Sequence, residues 1–226
     1  MQFSFRKWPA LAIVTVWALP ACADVDEVDL SASPLMRSEM QRKVLQYTVE
    51  CALPNGDTAF GVHDGTRYEF AGAIGIAPEW REGPLPKPKQ LDLTACLLAR
   101  TNAFGVSVAI SLRSESGGLA ALPMFAASQE EHEDFPLWEG AFFGNIFDPN
   151  PVAYACTGAG GKDAALRALK RICTLPTAQT TTDGAQVSAC GFVVLGTCED
   201  VATTPIGRVF ADHMVHVYLP DRAVSP

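Results

Sequence analysis

Histidine and positive charge are scarce in this chain. Only 4 histidines occur, and 17 Lys and Arg stand against 25 Asp and Glu, a formal net charge of −8. Such acidity repels phosphate backbones and anionic headgroups, which excludes nucleic acid and an anionic membrane surface as partners. Cysteine pairs of the C-x-x-C type are missing, so a zinc cluster is excluded. The apolar stretch at residues 9–21 falls short of the roughly 20 residues that a membrane-spanning helix needs. No internal repeat is present.

Complete nucleotide and nucleophile motifs are missing as well. The stretch CTGAGGKDAAL, residues 156–166, leads into a helix-forming segment, but a phosphate loop needs Gly at Cys156 and Ser or Thr at Asp163. Asp163 also repels phosphate from the helix start, and the dinucleotide fingerprint needs Gly in its place. The sequence therefore implies no nucleotide and no cofactor. GVSVA around Ser107 lacks the final Gly of a nucleophile elbow, with Ala109 there instead, and runs from helix to strand rather than strand to helix.

What is present begins with a secretory signal. Arg6 and Lys7 precede the apolar residues 9–21, the pattern of an exported precursor. Two cuts are open. Small residues flank Cys22 in Ala21-Cys22-Ala23, which suits ordinary cleavage. Leu19-Pro20-Ala21-Cys22 resembles a lipobox, with Pro20 off-pattern, in which Cys22 is acylated and becomes the N-terminus. Either cut removes Arg6 and Lys7 and takes the formal charge to −10. Ala23, rather than Asp, after the cysteine implies the outer membrane by resemblance to lipoproteins. Residues 22–33 read as an acidic tether.

Cysteine parity supports export. Of the 7 cysteines, setting Cys22 aside leaves Cys51, Cys96, Cys156, Cys173, Cys190 and Cys198, enough for three disulfides in an oxidising compartment. Cys51 and Cys96 each lie on the buried stripe of a predicted helix, so packing those helices together would bring the two into bonding range. A strand over Phe192–Leu195 advances about 13 Å, which carries Cys198 away from Cys190. A helix over residues 162–172 spans about 16 Å and separates Cys156 from Cys173. Cys190 and Cys198 are therefore expected to bond to different partners, drawn from Cys156 and Cys173.

Residues 34–226 read as one α+β domain, disulfide-stabilised, with antiparallel hairpins and about three packed helices, and a possible sub-boundary near residues 174–186. Ser33-Pro34 opens a helix whose stripe is Met36, Met40, Val44, Tyr47 and Cys51, stopped by Leu53-Pro54-Asn55-Gly56. In TAFGVHDGTRYEF, a three-residue His63-Asp64-Gly65 loop pairs Val62 with Thr66 and Phe60 with Tyr68, which keeps one face apolar. Residues 84–89 form an extended connector, 91–104 a buried helix ended by Gly105, and 105–112 a strand. Residues 113–134 form a loop, 162–172 an amphipathic helix, 174–186 a Thr-rich loop, and 190–196 and 214–219 strands. His213 and His216 are three apart, so on a strand they would face opposite sides. His132, among four carboxylates in QEEHEDF, suits a hard cation or a solvated loop; no metal site is assigned.

The segment FPLWEGAFFGNIFDPNP, residues 135–151, concentrates Trp138, Phe142, Phe143 and Phe147 around Glu139, Asn145 and Asp148. It reads either as an aromatic core strand with a polar turn, or as a cleft. In the cleft, Trp138, Phe142 and Asn145 bind a ligand and Glu139 or Asp148 act on it. TACLLARTNAFGVSVAISLR, WEGAFFGNIF and YEFAGAIGIAPEW resemble segments of bacterial exported proteins of unknown function, over about residues 40–160. The resemblance implies a cell-envelope protein and carries no catalytic residue. The first reading is thus an exported envelope protein, lipid-anchored or periplasmic, with a structural or ligand-binding role towards a protein or glycan and no catalysis. The second is an envelope glycan hydrolase with Glu139 as acid.

Overall fold

A computed structural model describes residues 27–104, 107–161, 171 and 173–221. The expected signal segment, Cys22 and the expected helix 162–172, apart from Arg171, lie outside the described residues.

The fold is α+β, built on two sheets. Strands β1 (Val28–Asp29), β2 (Thr58–His63) and β3 (Thr66–Ala71) form the smaller one, in that order. The larger has seven strands, β4 (Ser111–Arg113), β5 (Leu137–Asn145), β6 (Val152–Thr157), β7 (Pro176–Thr180), β8 (Gln186–Ser188), β9 (Val193–Thr197) and β10 (Val215–Leu219). Their order across the sheet is β4-β10-β5-β6-β9-β8-β7. Six α-helices occur among the described residues, more than the three expected: α1 (Glu39–Ala52), α2 (Lys87–Ala99), α3 (Gly117–Ala120), α4 (Gln129–Asp134), α5 (Cys198–Thr203) and α6 (Pro205–Phe210). Of the four short helices, α3 and α4 fall in residues 113–134, which the sequence reads as a loop, and α5 and α6 between the two last expected strands, because one or two turns are too brief to show a period. Pairing is mostly antiparallel, but β1–β2 and β6–β9 are parallel.

Helix α2 is central. Nearly every residue from Leu91 to Ala99 is buried, as expected of a helix covered on all sides. It packs on α1 on one flank and on β5 and β10 on the other, and α1 packs in turn on β3. Alternation along β5 splits the interior. Phe142 joins Val215, Val217 and Leu219 in the main core beneath α2. Ala141 and Phe143 join Cys156, Cys198 and Val201 on the opposite face. The disulfides follow these layers. Cys51–Cys96 ties α1 to α2, Cys156–Cys198 ties β6 to α5, and Cys173–Cys190 closes the shorter loop. Cys190 and Cys198 thus bond to different partners, as reach requires.

Several boundaries differ from expectation. Residues 27–33 are not a free tether: β1 pairs with β2, and Glu27 accepts from Arg67 at 2.7 Å. Ser33 caps only a 3-10 turn, Pro34–Met36, and α1 restarts behind a second cap, Ser38. That restart takes Met36 off the helix, so the expected stripe loses its phase. Leu45, Thr48, Val49 and Ala52 face inward with Cys51, while Met40 (71 % exposed), Val44 and Tyr47 face solvent.

The β2–β3 connection is the two-residue turn Asp64-Gly65, with φ of 49° and 76°, and Phe60 stands opposite Glu69. The expected register put the larger apolar residues inside. Instead Ala59 and Gly61 face inward, because Met36 needs the room: a Cβ on Gly61 would sit 2.7 Å from its sulfur. Phe60 is covered on the outer face by the Arg67 guanidinium, 3.9 Å from the ring centroid.

Helix α2 starts at Lys87, inside the expected connector, with Pro88 in its first turn. It stops at Ala99 rather than Phe104, because Asn102 Oδ1 accepts the Phe104 N–H and Arg171 takes the carbonyls of Ala99 and Thr101. Among the described residues of the expected strand 105–112, only Ser111 and Leu112 are paired, and β4 runs one residue further to Arg113. The Thr-rich loop is the β7–β8 hairpin.

Candidate functional site

Segment 135–151 divides into a buried strand and an open tip. Phe142 is fully buried and meets Phe192 edge-on. Trp138 lies against His216 and Tyr218 and donates its ring N–H to the Gly140 carbonyl. Neither ring walls a cleft. Glu139 is 1 % exposed. Its Oε2 accepts from Arg171 Nε at 2.8 Å and its Oε1 from the Cys173 N–H at 3.1 Å. Its acceptors face side-chain and backbone donors in a closed interior, the arrangement of a structural anion rather than of an acid that meets substrate.

The tip begins at Asn145. Its amide donates to Gln90 of α2 and its carbonyl oxygen accepts the Phe147 N–H, while Thr94 accepts the Ile146 N–H. Asp148 accepts the Asn150 N–H in a second Asx turn. These bonds fix the β5–β6 connection against α2. The result is a cleft of about 200 Å³ lined by Lys87 and Leu91 of α2, Asn145, Asp148 and Asn150 of the tip, Val152, and Val209 and Phe210 of α6. The two sequence candidates Asn145 and Asp148 meet here; Trp138, Glu139 and Phe142 do not line it. Around it the tip and α6 leave Ile146, Phe147, Ile206 and Val209 uncovered, Val209 at 68 %. Amides, one cation, one anion and an apolar rim suit binding. Among the described residues the titratable side chains that line the cleft are Lys87 and Asp148.

A larger cleft, about 350 Å³, lies between Glu27, Asp57, Arg67 and Glu69. Its charges are already paired: Arg67 with Glu27 and Glu69, and Asp57 with Arg81. Among the described residues no group of three or more His, Cys, Asp or Glu is arranged to hold a metal. His132 instead meets Arg113.

Sequence reading missed the pair Asp92–His213. Asp92 is buried on α2, and its Oδ1 lies 2.6 Å from His213 Nδ1 in the 3-10 turn Ala211–His213. Burial pushes the Asp92 carboxyl above the ordinary range, against the opposing effect of the His213 bond. The one available signal is an acid inside the apolar run LDLTACLL. The pair pins the turn before β10 onto α2. Truncating the imidazole leaves a buried carboxylate alone, whereas an amide at position 92 keeps an acceptor and removes the charge. His213→Ala is therefore expected to cost about 2–3 kcal/mol and Asp92→Asn about 1 kcal/mol. Urea unfolding at pH 7 checks the order, and a larger loss in Asp92→Asn would contradict it.

No family model, curated protein or solved structure matches the chain.

Proposed function

We propose that this chain is an exported cell-envelope protein, anchored through an acylated Cys22, that binds an apolar segment of another protein at the β5–β6 tip and performs no turnover. The observation that carries the binding reading is the contrast within one segment. Glu139 is spent in a closed ion pair, while Ile146 and Phe147 stand open beside Val209 on a braced platform. Single exposed apolar side chains are ordinary, but several of them grouped around a cleft mark an interaction surface. A protein rather than a glycan fits that rim, because Trp138 and Phe142, the rings that would stack on a sugar, are committed elsewhere.

Export is supported by the apolar segment before Cys22 and by the pairing of the other six cysteines, which leaves Cys22 outside the three disulfides. Among the described residues no helix is long and apolar enough to cross a membrane.

A photo-reactive residue in place of Val209, in the full chain in its native cells, tests the binding. The expected result is one discrete protein adduct, lost on adding Phe147→Ser, on a chain whose mature N-terminus is acylated Cys22. No adduct, or one indifferent to Phe147→Ser, rejects the binding reading, and a mature chain beginning at Asp24 rejects the anchor.

A further inference from the structure

The β5–β6 tip carries both halves of a contact. Ile146 and Phe147 stand uncovered on it, and beside them the cleft of about 200 Å³ has the apolar lining Leu91, Val152 and Phe210. A projection and a hollow side by side on one face are what a two-fold contact between identical chains needs, because each copy must offer what the other receives. A partner of different sequence would need only one of the two.

The charges of the cleft have the same property. Lys87, in the first turn of α2, and Asp148, in the tip, are one cation and one anion on its walls. Among the described residues neither is in a salt bridge, and Asp148 accepts only the Asn150 N–H. Bonds to Gln90 and Thr94 of α2 fix the tip in place, so it does not swing to close this pair. A second copy turned about a two-fold axis through the cleft brings its Asp148 to Lys87 and its Lys87 to Asp148, two equal contacts from one rotation. The formal charge of each copy, −8, or −10 without Arg6 and Lys7, opposes the approach. Salt screens that repulsion beyond about 8 Å, which leaves the outcome to the groups that touch.

We propose that the protein bound at the tip is a second copy of this chain, in a two-fold contact that sets Ile146 and Phe147 of each copy against the cleft of the other. The proposal deepens, and rests on, the reading of the tip as a protein-binding surface.

Two versions of the full chain made together in the native cells test it, one with a photo-reactive residue at Val209 and one with an affinity tag alone. The expected product is a tagged adduct of twice the chain mass, joined through residues 145–152 of the tagged copy. Lys87→Asp or Asp148→Lys in both versions sets like charges against each other twice and lowers the yield about tenfold. Lys87→Asp in one version and Asp148→Lys in the other restores both pairs, so the yield returns to within about twofold of wild type. Asp148→Asn keeps the Asx acceptor and so the turn, and lowers the yield about threefold by loss of charge alone. An adduct of another mass keeps the protein-binding reading and overturns the second copy, whereas no adduct overturns both. A doubled mass joined elsewhere than residues 145–152, an unchanged yield in Asp148→Asn, or no rescue by the mixed reversals while α2 and β5 keep wild-type amide exchange would also overturn the proposal.

Discussion

Glu139→Gln is expected to lower the unfolding free energy by about 3–5 kcal/mol, as does Arg171→Met, because each leaves a buried group without its partner. Both side chains are about 1–2 % exposed and 2.8 Å apart. Glutamine at 139 still offers an oxygen to the Cys173 N–H, but it removes the counter-ion of a guanidinium that no water reaches. Arg171→Met also strips the donors from the carbonyls of Ala99, the last residue of α2, and of Thr101 just beyond its end. In the double variant nothing charged is left buried, so its loss should be well below the sum of the singles. Urea unfolding gives all three values. A Glu139→Gln midpoint within about 1 kcal/mol of wild type, at unchanged slope, would mean that water enters the site. A carboxylate that water reaches would restore Glu139 as a candidate acid.

Reach was legible in the sequence, and the phase of a stripe and partners distant along the chain were not. That Cys190 and Cys198 bond to different partners follows from how far a strand carries the chain, since a disulfide tolerates little error in distance, while which of Cys156 and Cys173 each takes depends on the fold. The α1 stripe failed because its period was counted through a break: Ser33-Pro34 and Ser38 are both good caps, and nothing local says which one starts the long helix. The β2–β3 register failed for a related reason. The apolar face is the outward one, covered by Arg67, and the inward choice of Ala59 and Gly61 is dictated by Met36 from another element. Glu139 looked like an acid in an aromatic setting because Arg171 lies 32 residues away, two before Cys173 and beyond a glycine-rich stretch. Asn145 and Asp148 were found at the tip because turn chemistry is local. Their neighbours Lys87 and Val209 come from α2 and α6 and carry no mark in the sequence.

Removing Cys51–Cys96 is expected to destabilise the fold most among the disulfides. The bond joins residues 45 apart, against 42 for Cys156–Cys198 and 17 for Cys173–Cys190. Loop-closure entropy alone gives about 4 kcal/mol for each of the longer two and about 3 kcal/mol for the short one. Burial separates the longer pair. Cys51 and Cys96 are both fully buried between α1 and α2, where alanines leave an unfilled space in the main core, whereas Cys198 is slightly exposed at the start of α5 in the smaller cluster. Cavity cost therefore adds to the entropy term at Cys51–Cys96, on the order of 1 kcal/mol for the lost sulfurs. Three double-alanine variants, compared by denaturant unfolding under oxidising conditions, give the ranking. The expected order of loss is Cys51–Cys96, then Cys156–Cys198, then Cys173–Cys190. A Cys173–Cys190 loss as large as that of Cys51–Cys96 would show that residual structure in the unfolded chain, rather than loop length and core packing, sets the worth of these bonds.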